Sequence, residues 1–122
     1  ILDKRILTTG WYEKLKNQEK EIHIRSIFLQ GMLVNKLLYK KKYFRQWKEI
    51  FNRWFKFLED KKISPIDYCL SDLLKYDFNN VVVGIDNSKN LNELINFKTI
   101  SKNKMKNFQI NDTKLIDPRN WK

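Results

Sequence analysis

Two stretches of the chain set a glycine beside backbone that suits an anion. The first is Phe28-Leu29-Gln30-Gly31, at the end of an apolar run, and the second is Gly84-Ile85-Asp86-Asn87-Ser88, ahead of a helical pattern. Unpaired N–H groups at a helix start attract negative charge, and glycine lets a ligand come close to the main chain. By spacing alone an ordinary turn is the favoured explanation of each stretch, because one glycine plus one cap residue is a weak signal. Other chemistry-bearing residues are few. His23, the sole histidine, falls in the middle of a strand pattern with no second metal-type ligand suitably spaced from it, which reads as structural. Cys69, the sole cysteine, falls in a helical apolar stripe and reads as an inert core thiol; a disulfide or cysteine-rich zinc site within this chain is excluded. No Gly-x-Ser-x-Gly, P-loop or Gly-x-Gly-x-x-Gly pattern occurs, and the carboxylates suggest no acid–base pair. These patterns assign no catalytic residue and no metal ligand.

The elements that position the two stretches follow from periodicity. Thr8-Thr9-Gly10 precedes a helix predicted over about 10–18, with a threonine hydroxyl as its cap. Ile22 to Phe28 alternates as a strand, with Ile22, Ile24, Ser26 and Phe28 on one face and His23, Arg25 and Ile27 on the other. Residues 35–42 read as a charged loop. From Tyr43 to about Lys61, Phe44, Trp47, Phe51, Trp54, Phe55 and Leu58 recur at helical spacing, an aromatic stripe expected to bury against a sheet. Ser64-Pro65 starts another helix, with Ile66, Cys69, Leu70, Leu73 and Leu74 inward and Asp67, Ser71, Asp72 and Lys75 outward. Val81-Val82-Val83-Gly84-Ile85 reads as a buried strand of a parallel sheet. Asp86-Asn87-Ser88 caps a helix predicted over about 89–97, with Leu91, Leu94 and Ile95 inward, and residues 98–122 read as an extended tail. The alternation is that of an α/β fold, in which phosphate sites lie at the carboxyl ends of parallel strands.

Length and charge bound the reading. The 122 residues allow about one small domain, and 42% hydrophobic content is enough for a core rather than a disordered chain. No apolar run approaches membrane-spanning length, and no signal peptide is evident, so a soluble, cytoplasmic chain without a membrane partner is expected. The net charge of +11 comes from 25 Lys+Arg against 14 Asp+Glu. Lysine outnumbers arginine 20 to 5, asparagine and isoleucine each number 13, and alanine is absent. That pattern fits codon bias in an AT-rich genome more than selection for nucleic acid, which draws on arginine for bidentate contacts. A small basic module for nucleic acid or another anionic partner, resting on the Lys-rich stretch 36–62, is kept as the alternative.

Several separated segments resemble one family. Leu2-Asp3-Lys4-Arg5-Ile6-Leu7, Arg25-Ser26-Ile27-Phe28-Leu29-Gln30-Gly31-Met32-Leu33, Ser64-Pro65 with Cys69-Leu70, Val82-Val83-Gly84-Ile85-Asp86 with Leu91, and Ile116-Asp117-Pro118-Arg119-Asn120-Trp121 occur in this order. Together they resemble the C-terminal part of the aldo/keto reductase superfamily, in a bacterial branch with an Arg-Ser-x-Phe-Leu-Gln-Gly strand. The resemblance implies a partial (β/α)₈ TIM barrel over residues 1–122, in which Ile22–Phe28 is strand seven and Val81–Ile85 is strand eight. Such a barrel needs roughly 250 residues, so the chain, which opens on Ile1, is expected to be a fragment whose partner is the N-terminal part of the barrel. It implies a nicotinamide cofactor, NADP(H) favoured and NAD(H) as the alternative, and a small carbonyl substrate for the intact parent. By position, Arg25 stands where an aromatic side chain stacks on the nicotinamide, and Ser26, Phe28, Gln30 and Gly31 line the pyrophosphate. Gly84, Asp86, Asn87, Asn90 and Glu93 surround the adenosine. Asp86 stands where relatives place a basic or hydroxyl residue for the 2′-phosphate, and this keeps NAD(H) in play. The family's catalytic Asp, Tyr, Lys and His belong to the first half of the barrel and have no counterpart here; His23 does not match the catalytic histidine.

Overall fold

The computed structural model describes residues 2–121. In chain order its elements are α1 (Arg5–Thr8), α2 (Trp11–Asn17), β1 (His23–Arg25), α3 (Lys48–Lys61), α4 (Pro65–Leu73), β2 (Asn80–Val82), α5 (Ser88–Ile95) and α6 (Thr113–Ile116). Short 3₁₀ segments at Leu38–Lys40, Lys42–Trp47, Lys102–Lys104 and Pro118–Asn120 join them. β1 and β2 pair in parallel, with Ile24 opposite Val81. A parallel pair needs a long crossover, and α3 and α4 supply it.

Helix α3 is where sequence and packing agree best. Phe51, Trp54, Phe55 and Leu58 are buried on one face, and Phe44 and Trp47 extend the stripe through the preceding 3₁₀ segment. Contrary to expectation, the stripe does not pack on the sheet: no residue of β1 or β2 belongs to the main core. It packs on Leu29, Met32 and Leu33 of the turn after β1, on Tyr68 and Cys69 of α4, and on Leu115 and Ile116. Trp54 meets Tyr68 and Phe108 edge-on, each at 5.0 Å between ring centres. Tyr39 stacks on Phe51 at 5.0 Å. Two three-residue strands offer too little surface to cover such a stripe, so the chain's ends cover it.

Residues 98–121 are therefore not simply an extended tail; Lys122, the last residue of that expected tail, lies outside the described residues. Asp112 caps α6 by accepting from the Lys114 N–H, and Asp117 caps the last 3₁₀ segment by accepting from Arg119. Polar groups of the aromatic helices fasten this part of the chain. Trp47 donates to Asp112 at 2.8 Å, Tyr43 donates to the Lys114 and Asn120 carbonyls, and the Tyr68 hydroxyl donates to the Lys106 carbonyl and accepts from its N–H. Trp121 closes on Phe44 at 4.8 Å.

Helix α4 is rotated from its expected face. Tyr68, Cys69, Ser71 and Asp72 are buried, while Leu74 lies outside. Ser71 and Asp72 are tolerated inside because each is paired: Ser71 Oγ accepts from the Ile100 N–H, and Asp72 binds Lys75 at 2.6 Å and Lys4 at 3.2 Å. Gly10, at φ +77°, rather than a threonine caps α2, because Thr9 turns back to donate to the Arg5 carbonyl. The expected strand 81–85 is shorter and displaced to Asn80–Val82, with Val82 and Ile85 exposed. A two-stranded sheet leaves the outer edge of each strand unpaired. Leu91 and Ile95, expected inward, are also exposed.

Two predictions follow from this packing. Trp54→Ala removes the centre of the aromatic core and a buried indole hydrogen bond to the Leu33 carbonyl. It should cost about 3–5 kcal/mol, as for other large-to-small core changes, measured by urea unfolding. The second concerns acid. The Arg119 guanidinium holds Asp117 down to about 2. Burial pushes Asp72 up, but the Lys75 hydrogen bond and the Lys4 and Lys75 charges outweigh it and leave the carboxyl below its usual value. A carboxyl lowered by folding contributes stability above its unfolded value of about 3.9, lost as pH falls toward the folded value. Stability should be level above about pH 5 and fall between about pH 4 and pH 2. Asp117→Asn should flatten that fall, as read by circular dichroism.

Candidate functional site

The carboxyl ends of β1 and β2 open into one cleft of about 740 Å³. One wall is the segment after β1, with Arg25, Ser26, Phe28, Gln30 and Gly31. The other is the segment after β2 and the near face of α5, with Gly84, Asp86, Asn90 and Glu93. Val34, Leu38, Ile66 and Leu94 add apolar surface.

The first wall is built on unusual backbone. Strand β1 ends at Arg25, earlier than the alternation predicts, and Ser26 (φ +60°), Leu29 (+48°) and Gln30 (+52°) then enter the left-handed region together with Gly31 (+80°). A non-glycine residue there costs on the order of 1 kcal/mol. The turn is held from beneath: Leu29 and Leu33 are buried, Leu33 N–H donates to the Phe28 carbonyl, and the Trp54 indole donates to the Leu33 carbonyl at 2.9 Å. Among the described residues the N–H groups of Phe28, Gln30 and Gly31 donate to no protein acceptor. A turn whose amides are free and whose side chains are anchored below is suited to an anion.

The second wall is set by a helix start. Asn87 Oδ1 accepts from the Asn90 N–H at 2.9 Å and so caps α5. Of the ten residues that the resemblance assigns to a cofactor, Asn87 alone does not line the cleft, because capping occupies its side chain. Asn90, Glu93 and Leu94 share one face of α5 by their spacing of three and four.

Four charged residues line the cleft: Arg25 and Lys36 on the β1 side, Asp86 and Glu93 on the other. Lys36 is paired with Glu59 and lies over the Phe55 ring at 5.4 Å. Arg25, Asp86 and Glu93 form no ion pair among the described residues. The cleft thus carries one unpaired cation at one wall and two carboxylates at the other. Lys36 escaped sequence reasoning because it sits in a lysine-rich loop whose charges look alike. Ile66 escaped because a helix-start residue in an apolar pattern reads as core.

The other singled-out residues lie elsewhere. His23 Nε2 is 3.1 Å from Glu21 Oε2 and 3.2 Å from Asn80 Nδ2, on the exposed side of the sheet. Cys69 is fully buried, and burial pushes its thiol up to about 12, which makes it a poor nucleophile. Among the described residues no His, Cys, Asp and Glu cluster is arranged to hold a metal, and no helix is long and apolar enough to cross a membrane.

Glycine substitutions separate the two walls. Gly31→Ala meets a positive φ and places Cβ 3.2 Å from Leu38 Cδ1, so a loss of about 1–2 kcal/mol is expected. Gly84→Ala meets open space and should change thermal stability little. Differential scanning calorimetry of the two variants checks this. No family model, curated protein or solved structure matches the chain.

Proposed function

We propose that the chain is the C-terminal, cofactor-binding part of an NAD(P)H-dependent aldo/keto reductase, a portion of a (β/α)₈ barrel that works in the cytoplasm. The observation that carries the reading is the cleft itself. Nine residues that the resemblance assigns to a nicotinamide dinucleotide, 53 to 68 positions apart across the two segments, meet at the carboxyl ends of a parallel strand pair. Ligands of α/β folds bind at that end of the strands.

The residues suit the group. The free N–H groups of Phe28, Gln30 and Gly31 and the unpaired Arg25 would bind the pyrophosphate and nicotinamide end. Asn90, Asp86 and Glu93 would hold the adenosine hydroxyls, and Val34, Leu38 and Leu94 would exclude water from the rings. The dinucleotide, when bound, supplies hydride to a carbonyl. The chain's own residues bind and orient it, and the proton donor belongs to the missing half. Unpaired strand edges, with Val82 and Ile85 exposed beside them, support the further expectation that more barrel strands cover this face.

Saturation-transfer NMR of the pure chain with millimolar NADH and NADPH should detect at least one of them, while carbonyl-dependent oxidation of either should be absent. Failure of both to bind contradicts the reading, and turnover by the chain alone contradicts the assignment of catalysis to the other half. A second reading draws on Lys40, Lys41, Lys42, Arg45 and Lys48, all exposed and free of ion pairs among the described residues: a basic module for nucleic acid. The reductase reading predicts no saturable oligonucleotide binding at low salt, whereas a salt-sensitive isotherm would favour the module.

A further inference from the structure

We infer that the segment 36–48 is a contact surface for anionic lipid, with Leu37 entering the interface and Lys40, Lys41, Lys42, Arg45 and Lys48 meeting the headgroups. The inference does not depend on what the cleft binds. It departs from the expectation of no membrane partner, which rested on the lack of a spanning run; a surface contact needs none.

The fold decides where this charge stands. The 3₁₀ segment Lys42–Trp47 stacks every third side chain, so Phe44 and Trp47 share its buried edge. Lys42 and Arg45, continued by Lys48, share another edge, which is exposed. Tyr39 is buried ahead of them, and Lys40 and Lys41 are exposed beside it. None of the five basic groups forms an ion pair with a described residue. Glu49 is the sole acidic residue between Lys36 and Leu58. Codon bias explains how many lysines the chain has, whereas the burial of Tyr39, Phe44 and Trp47 sets these outward.

The second observation is apolar. Leu37 is 67% exposed, although its neighbours Leu38 and Tyr39 pack against or join the core. Its N–H donates to Asn35 Oδ1 at 2.9 Å, in the turn that leaves the side chain outside. A lone exposed leucine is ordinary on a protein surface. One set between Lys36 and the run Lys40-Lys41-Lys42 combines the two signals that peripheral membrane contact draws on, an inserted apolar group and a polybasic patch. Clusters of about four to eight basic residues are drawn to the negative cytoplasmic leaflet, and this cluster is of that size.

Nucleic acid fits the same surface less well. Single strands stack their bases on exposed aromatic rings, and base reading draws on arginine. Here Tyr39, Phe44 and Trp47 are buried, the Tyr43 hydroxyl is engaged with the Lys114 and Asn120 carbonyls, and Arg45 is the one arginine among the five. The compact charge of lysine suits a fluid array of headgroups, where no fixed bidentate geometry is required. Leu37 adds nothing to a phosphate contact and does add to insertion in a bilayer.

The test is co-sedimentation of the full chain with vesicles of phosphatidylcholine alone and of equal parts phosphatidylcholine and phosphatidylserine, at low and at physiological salt. The expected result is binding to the anionic vesicles only, weakened by salt. Leu37→Asn should lower that binding about tenfold, and Lys41→Gln/Lys42→Gln at least about tenfold. Lys102→Gln/Lys104→Gln removes the same charge from another exposed segment and should change it less than about twofold. All these side chains are exposed, so each variant should keep the circular dichroism spectrum of the parent. Equal binding to neutral vesicles, or none to anionic vesicles at low salt, overturns the proposal. Equal losses from the two double variants overturn it too, since net charge alone then accounts for the binding. A single-stranded oligonucleotide bound tighter than the vesicles, with no effect of Leu37→Asn on either, overturns it in favour of nucleic acid.

Discussion

The bond from the Trp54 indole N–H to the Leu33 carbonyl joins the two halves of this molecule. Trp54 lies at the centre of an aromatic core and has no exposed surface, so its N–H must find a partner inside. The partner it finds is the end of the turn that carries Ser26, Leu29, Gln30 and Gly31 in left-handed conformations. Strain in a turn persists only where surrounding structure determines it. Here the determining structure is α3, packed through Phe51, Trp54 and Phe55, and the cleft wall is a consequence of the core.

That dependence extends to the chain's ends. The aromatic face of α3 is wider than one short helix can cover, and α4 covers it only in part. The C-terminal segment completes the cover through Phe108, Leu115, Ile116 and Trp121, and the hydroxyl and indole groups of Tyr43, Trp47 and Tyr68 fix it there. Leu2 joins the same core, and Asp117 draws Arg119 and Arg5 together. The sheet contributes little to this packing. It is the element least satisfied by the rest of the chain, with exposed valine and free edges, and the cleft lies at its end.

The sequence exposed the periodic elements well. The aromatic stripe of α3, the Ser64-Pro65 helix start and the Asn87 cap region were legible because each rests on local spacing or cap chemistry. The parallel relation of the strands was legible from the helical crossover between them. Facing was harder. Ser71 and Asp72 read as outward because polar residues on a helix ordinarily are, and only the distant partners Ile100 and Lys4 make them inward. The folding of the last residues depended on Asp112 and Asp117 acting as caps, which a polar, weakly patterned tail disguises. Of the cleft, the glycines and helix start were visible as weak signals. Lys36 and Ile66 were not, since tertiary packing alone brings them to it.

The central claim is that the two segments after the parallel strands form a single dinucleotide site. Hydrogen exchange followed by mass spectrometry, with and without saturating NADH, tests it most directly, because exchange reports slowed opening segment by segment. The account predicts new protection in residues 26–31 and 84–90 together, with the Lys-rich residues 40–48 unchanged. Protection confined to one segment, centred on residues 40–48, or absent throughout would contradict it.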